Sequence, residues 1–298
     1  MIIVDYSAIS LAVVFTRSKD FVFVNEGETV VNEDLLRHAI LNSLRMYNVK
    51  YRNDYGRMVL ACDSRSWRTR VFPEYKANRK SGRDEDPMDW NLVYSTLDKI
   101  TEEIEENLPY DVLRVQDAEA DDIIATLVKE TQEFGQHEPV MIVSGDKDFI
   151  QLQKYNNVEQ FSPVQKKLVT DPRTPEQYLF EHICRGDSGD GIPNVLSEDR
   201  TFVDGGRQTP VRKKRLDEWY ESHRSSKDMV DVMDNETYRN YIRNKSLIDF
   251  DYIPDDVVSN IEYAWTTTPK KTNGKVLNYL ISNRCTNLIG CVDEFFTK

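Results

Sequence analysis

Nine acidic residues stand where carboxylates can act together. Asp5, Asp63 and the pair Asp146 and Asp148 each follow a short apolar run, while Glu119, Asp121 and Asp122 open a helical stretch. Asp187 and Asp190 lie in the glycine-rich turn Gly186–Pro193. Taken singly, acids in a helix's first turn are ordinary caps and dipole partners, and 51 acids among 298 residues make short clusters common. Acids at the ends of three strand candidates are different, because a solvated carboxylate has no preference for that position. In an open parallel sheet the C-terminal strand ends line the crevice where ligands bind, so the nine acids are expected to converge there. Two unit charges ~4 Å apart repel by ~4 kcal/mol at an effective dielectric near 20. Such a cluster must therefore take up protons or cations. An all-oxygen donor set suits hard ions, Mg²⁺ or Mn²⁺, that keep several waters. Held beside a phosphorus, such ions acidify water and stabilise in-line displacement, so phosphodiester hydrolysis is the expected reaction.

The elements that must carry these acids follow from periodicity. Met1–Asp5, Arg57–Asp63, Asp111–Val115 and Pro139–Val143 read as strands; Asn32–Tyr47, with Asn32 as N-cap, Met88–Asn107 and Ala118–Phe134 read as helices. Strands alternating with helices predict an α/β fold with a mainly parallel central sheet and helices on both faces. Beyond about Asp171 helical spacing dominates, over Pro175–Arg185, Lys213–His223, Asn235–Asp249 and Pro254–Trp265, which predicts a smaller, mostly helical region after the sheet. Ser81–Pro87 and Leu196–Pro210 are the linker candidates.

A phosphate polymer approaching this many acids needs cationic help, and residues 65–83 supply it. Seven basic residues stand there against Glu74 alone, in a chain of net charge −12, with Trp67, Phe72 and Tyr75 interleaved. The stretch begins just after Asp63, so it is expected to rise over the crevice, its cations gripping phosphates and its aromatics stacking on unpaired bases. A solvated loop is the plainer alternative. A second basic run, Arg212-Lys213-Lys214-Arg215, suits duplex backbone contact or nuclear import.

Composition removes other classes. The longest apolar run, Ile2–Phe15, is interrupted by Asp5 and Ser7, short of the ~18 residues a membrane span needs. Cys62, Cys184, Cys285 and Cys291 form no CxxC pair, which disfavours zinc fingers and disulfide scaffolds. Cys62 is expected on the face opposite Asp63, as a buried thiol. Trp90, Trp219 and Trp265 read as packing anchors, and His38, His137, His182 and His223 are too scattered to be assigned to catalysis. Asp5-Tyr6-Ser7 lacks the second acid of a haloacid-dehalogenase phosphatase, and no Gly-x-x-x-x-Gly-Lys phosphate loop is present.

Glu119–Asp122, Ser144–Phe149, Gly186–Pro193 and Phe72–Arg79 together resemble the signatures of the flap endonuclease/5′ nuclease family, and Leu247–Pro254 resembles its T-even phage ribonuclease H branch. The likeness spans nearly the whole chain in the family's order. It implies a first metal site at Asp5, Asp63, Glu119, Asp121 and Asp146, with Asp122 as an additional acid. It implies a second at Asp148, Asp187 and Asp190. Two Mg²⁺ would fill them, with Mn²⁺ as a substitute, and Asp121 and Asp146 would be central to catalysis. Tyr75, Lys76, Arg79 and Lys80 correspond to a helical arch over the site, spanning about 64–90. There Lys76 would assist the scissile phosphate and Arg79 would hold it or a neighbour. Residues 1–180 would form the catalytic domain. Residues 181–298 would carry a helical hairpin that grips duplex, with Arg212, Lys213, Lys214 and Arg215 on its backbone.

The implied activity is 5′ to 3′ exonuclease and 5′-flap cleavage. It would remove RNA primers and adjacent DNA in phage-type lagging-strand replication, by a monomer in the host cytoplasm. DNA and RNA/DNA duplexes with 5′ ends, forks or flaps are the implied substrates, and a single-strand-binding protein is an expected partner. The family's Gly-x-Gly-x-Lys run after Ile192-Pro193 is replaced here by Asn194–Gly206, so a potassium site is not expected. The first strand opens the chain, without the extension by which phage relatives engage a sliding clamp, so that contact is expected to be absent or to use another segment. The competing reading is a replication accessory protein that binds branched DNA without cutting it; a missing metal acid would favour it, and none is missing.

Overall fold

Runs of two to five apolar, often β-branched residues are too short to make helices and too apolar to be left in water. They pair as the centre of a six-stranded sheet. The computed structural model describes residues 1–16, 18–77, 79, 88–269 and 271–297. The strands are β1 (Ile2–Asp5), β4 (Met58–Cys62), β5 (Asp111–Arg114), β6 (Val140–Val143), β7 (Val158–Ser162) and β8 (Lys167–Leu168), in the order β5-β4-β1-β6-β7-β8. All neighbours are parallel except β7 and β8. The fold is the expected α/β sheet followed by a helical C-terminal region.

Side-chain alternation divides the strands between two cores. Ile2, Val4, Leu60 and Cys62 face α1 (Tyr6–Thr16), α2 (Glu33–Tyr55) and α3 (Trp90–Asn107), whereas Ile3, Val59, Ala61 and Ile142 face α4 (Ala120–Glu130). Cys62 is buried, as its alternation with Asp63 predicts, and burial pushes its thiol up to about 12. The helix expected over Asn32–Tyr47 begins as predicted, with Asn32 Oδ1 accepting the Leu35 amide at 3.2 Å. It continues to Tyr55 because Asn48 and Tyr51 prolong its buried stripe, and it stops at Gly56, whose φ is 77°.

Helix α5 (Pro175–Arg185), α6 (Lys213–Arg224) and α7 (Asn235–Ile248) build a third core. The chain then returns to the sheet. Phe250, Val257 and Ile261, the last two on α8 (Asp255–Thr267), join the core under α4, and Val276–Phe295 closes the other face.

The Leu196–Pro210 stretch is no free tether. The Asn194 amide donates to Gln208 Oε1 at 2.6 Å, Asn194 Nδ2 donates to the Thr209 carbonyl at 2.8 Å, and the Thr209 amide donates to Ser197 Oγ at 2.9 Å, which pins both ends of the loop. The other linker candidate, Ser81–Pro87, lies outside the described residues. The hairpin of β2 (Val22–Asn25) and β3 (Glu28–Val31) was signalled by Glu26-Gly27, both at positive φ, between β-rich runs, and was not among the elements read from periodicity.

Candidate metal and phosphate site

Adjacent parallel strands deliver the first acids. Asp5 ends β1 in register with Ala61 of β4, two residues before Asp63, and Val4 pairs with Val143 of β6, three residues before Asp146. Two serines that periodicity does not flag fix the spacing. Ser144 Oγ donates to Asp5 Oδ2 at 2.8 Å and accepts the Asp146 amide at 3.1 Å, while Ser7 Oγ accepts the Asp63 amide at 2.8 Å. Asp63 Oδ1 in turn accepts the Ala120 amide at 2.8 Å, binding the end of β4 to the first turn of α4.

The electrostatics record how crowded these carboxyls are. Burial pushes Asp5 up to about 6; hydrogen bonds from the Ala8 amide and Ser144 oppose it, and the charge of Asp63 adds to it. Asp146 is exposed at its surface yet hemmed in by protein, and that crowding, with the charge of Asp148, lifts it to about 7. Asp121 is raised well above the usual carboxylate range by burial and by Asp146 and Asp5. Asp5, Asp121, Asp146 and Asp148 thus share one electrostatic neighbourhood.

Raised acids make a checkable statement about pH. An unfolded aspartate titrates near ~3.9, so the folded protein holds these protons more tightly, and the resulting stabilisation is complete below about pH 4 and lost as pH rises through about 6 to 7. Divalent cations held there would replace the lost protons. Added Mg²⁺ is therefore expected to raise Tm by more at about pH 8 than at about pH 5; a shift of equal size at both, read by calorimetry, would contradict the shared cation site.

Glu119 behaves in the opposite way. Glu119 Oε2 accepts Ser66 Oγ at 2.7 Å, Arg68 Nη1 at 2.9 Å and the Tyr75 hydroxyl at 2.9 Å, and Glu119 Oε1 pairs with Lys76 Nζ. Burial alone would raise its pKa, but Lys76 and Arg68 hold it down at about 2. Asp122 is fully buried. Its Oδ2 accepts the Glu119 amide at 2.9 Å and Arg68 Nη1 at 3.1 Å, and Arg68 Nη2 lies 2.9 Å from Oδ1. The expectation of an additional metal acid at Asp122 does not match this placement. Its Oδ2 is taken up by Arg68 and by a capping box and its Oδ1 faces Arg68 Nη2, so it serves as counter-ion and helix cap.

Asp187 and Asp190 come in on a turn that only glycine can start. Gly186 has φ 66°, and a Cβ there would sit 2.4 Å from the Ile192 carbonyl oxygen. Asp187 Oδ1 accepts the amides of Gly189 at 2.7 Å and Asp190 at 3.1 Å, a local turn that exposes its other oxygen. Asp190 Oδ2 accepts the Tyr75 hydroxyl at 2.7 Å and lies 3.6 Å from Lys76 Nζ, while Oδ1 pairs with Arg79. Burial raises Asp190 even against Lys76 and Arg79.

The basic segment divides in two. Arg68 is buried and Trp67, Phe72 and Tyr75 are 2%, 4% and 5% exposed, so these rings are packing anchors. That corrects the expectation that they stack on bases: Phe72 and Tyr75 pack with Phe180 and Ile183 in the third core, and Tyr75 offers its hydroxyl to acids. Lys76 and Arg79 do face the crevice. The Lys76 amide donates to the Asp190 carbonyl at 2.7 Å, with Lys76 at φ 57°, so this segment is stitched to the second acidic turn. Burial would lower the Lys76 pKa, but Asp190 and Glu119 raise it, keeping the ammonium charged. Lys80 lies outside the described residues. Arg212, Lys213, Lys214 and Arg215 are exposed around the N-terminus of α6, away from the acids in the sequence but in the same helical layer as Asp187.

His182 was missed as a site residue. Its Nε2 lies 3.1 Å from Asp148 Oδ1 and 3.7 Å from Asp187 Oδ2. Burial would lower its pKa, but these two carboxylates raise it. The available signal was position: His182 sits one helical turn before the glycine that starts the acidic turn.

Comparison with known proteins places this site in context. A family model described as 5′-3′ exonuclease, N-terminal resolvase-like domain, matches residues 16–179, and one described as T4 RNase H, C terminal, matches residues 173–295. Ribonuclease H of Enterobacteria phage T4 is 32% identical over 98% of this chain and 95% of its own length. Flap endonuclease Xni of a Shewanella strain is 35% identical over 45% of this chain and 49% of its own length. Among solved structures, a T5 protein co-crystallised with metal ions superposes with a TM-score of 0.60 at 18% identity, covering 89% of this chain and 98% of that one, which shows a shared fold.

Proposed function

Because the chain belongs to the 5′-3′ exonuclease family, with a C-terminal part of the T4 ribonuclease H type, we propose that its acid basket hydrolyses phosphodiester bonds with the help of two divalent cations. The protein is a 5′ nuclease of the replication kind. The observation that carries the mechanistic reading is the mutual raising of Asp5, Asp121 and Asp146, a donor set of hard oxygens whose repulsion a divalent ion relieves. Asp5, Asp63, Asp121 and Asp146 would hold the first ion and Asp148 and Asp187 the second, with Asp190 and Glu119 beside them. Mg²⁺ bound there supplies an acidified water and charge neutralisation at phosphorus.

The chain's own residues do the rest. Glu119, ionised through the physiological range, holds the Lys76 ammonium at the rim, and Asp190 holds Arg79 beside it. An incoming phosphate takes over both cations, which orients it over the acids and neutralises its charge. Arg212, Lys213, Lys214 and Arg215 stand around a helix N-terminus, where cations gain nothing from the dipole and Arg212 supplies no side-chain cap. Duplex phosphate explains them, since both the side chains and the free amides of α6 favour an anion. We assign the catalytic domain to residues 1–180, completed by Asp187 and Asp190, and duplex grip to 181–298, acting on DNA and RNA/DNA 5′ ends.

The test is a 5′-flap duplex and an RNA-primer hybrid, each labelled at either end and incubated with and without Mg²⁺. Short 5′-terminal products that require Mg²⁺ are expected from both substrates. Salt-sensitive binding without products would instead support the accessory-protein reading. In the same assay Lys76→Ala is expected to lower kcat by about a hundredfold with a much smaller change in KM; a loss confined to KM would remove Lys76 from the chemical step.

A further inference from the structure

The second acidic turn carries a donor that an all-oxygen Mg²⁺ site does not need. His182 Nε2 is buried, and although Asp148 Oδ1 is 3.1 Å away, it lies off the direction of the ring N–H, so the nitrogen has no aligned hydrogen-bond partner. Leaving a buried polar atom without an aligned partner is costly, so an orphan in an acidic crevice calls for an explanation. The imidazole is held in place from behind by Tyr178, stacked at 6.0 Å and 20°, one turn earlier on α5.

The Asp148 backbone and the Asp187 carboxylate are fixed as well. The Asp148 amide donates to Asp146 Oδ1 at 2.9 Å, and the Gly189 and Asp190 amides donate to Asp187 Oδ1. One ligand atom each from Asp148, His182 and Asp187 lie within 4.8 Å of one another. A single ion about 2.0 to 2.2 Å from each donor needs them no more than about 4.4 Å apart, and the spacings from His182 Nε2, 3.1 Å to Asp148 and 3.7 Å to Asp187, meet that limit.

We propose that Asp148, His182 and Asp187 form a mixed nitrogen–oxygen site that prefers a first-row transition-metal dication such as Mn²⁺ over Mg²⁺. The inference rests on the metal-dependent reading above and adds to it the identity of one donor and the resulting metal preference. Its physical basis is donor type: a nitrogen donor adds affinity for first-row transition-metal dications, least for Mn²⁺ and rising toward Cu²⁺, whereas Mg²⁺ prefers oxygen and gives up water reluctantly.

The test titrates Mn²⁺ into the full chain and reads nitrogen hyperfine coupling by pulsed electron paramagnetic resonance, with affinities for Mn²⁺ and Mg²⁺ from calorimetry. Imidazole-type nitrogen coupling is expected in the unaltered protein, which needs no variant to fold. In His182→Gln the coupling is expected to vanish and Mn²⁺ affinity to fall about tenfold, with little change for Mg²⁺. Bound Mn²⁺ without nitrogen coupling, coupling that survives in His182→Gln, or equal losses for both metals would overturn the proposal and leave the metal-dependent nuclease intact. Failure of the unaltered protein to bind either metal would overturn both.

Discussion

Asp121→Asn and Asp146→Asn are each expected to lower Mg²⁺-dependent cleavage by about a thousandfold or more while binding of a 5′-flap duplex stays measurable. The substitutions keep the shape of the side chain and remove one charge from a group of acids that already repel one another. Asp146→Asn also preserves an oxygen for the Asp148 amide, which Asp146 Oδ1 accepts at 2.9 Å. Stability should therefore move in the other direction. With no divalent ion added, Asp121→Asn is expected to melt at or above the temperature of the unaltered protein at about pH 8, because the removed charge is one that burial, Asp146 and Asp5 disfavour. Loss of activity together with gain of stability is the signature of an acid kept for chemistry. A near-normal rate in either variant would remove the acid basket from catalysis.

Arg68→Ala is expected to produce the largest structural loss, about 3–5 kcal/mol in urea unfolding, since it strands buried carboxylates beneath the site. Arg68 donates from Nε to the Leu247 carbonyl at 2.8 Å and from Nη1 to both Glu119 and Asp122, the latter fully buried, while its Nη2 lies 2.9 Å from Asp122 Oδ1. With the guanidinium gone, Asp122 keeps only the Glu119 amide as an aligned donor, and the Leu247 carbonyl loses its partner. Cleavage should suffer as well, because Glu119 no longer has the neighbour that helps hold it ionised beside Lys76. A cost below about 1 kcal/mol would show that water reaches these groups and that the pair is not a structural clip.

The contrast between Asp121 and Asp122 shows what a sequence can and cannot display. Strand ends are visible in a line of residues, because an apolar run that stops at an acid has only one geometry in a parallel sheet, and Asp5, Asp63 and Asp146 were legible on that ground. Neighbouring acids on a helix start are not separable in the same way. One is raised by its fellow acids and the other neutralised by Arg68, a partner more than fifty positions earlier whose burial nothing local announces. Trp67, Phe72 and Tyr75 were misread for the same reason, since the apolar surface that absorbs Phe72 and Tyr75 comes from Phe180, Ile183 and Trp219, far along the chain. His182 escaped because a lone histidine carries no spacing rule; only the fold brings it against Asp148.

The closing of one sheet face by residues near the end of the chain has a consequence for synthesis. Asn48 Nδ2 donates to the Glu294 and Phe296 carbonyls at 2.8 and 3.0 Å, and Phe295 is completely enclosed in the core that Ile2 and Val4 begin. A ribosome that has already released Asp190, and with it every acid of the crevice, still leaves the underside of the nascent sheet bare for roughly another hundred residues of translation. The acids of the crevice are therefore all synthesised well before the core that supports their strands can close.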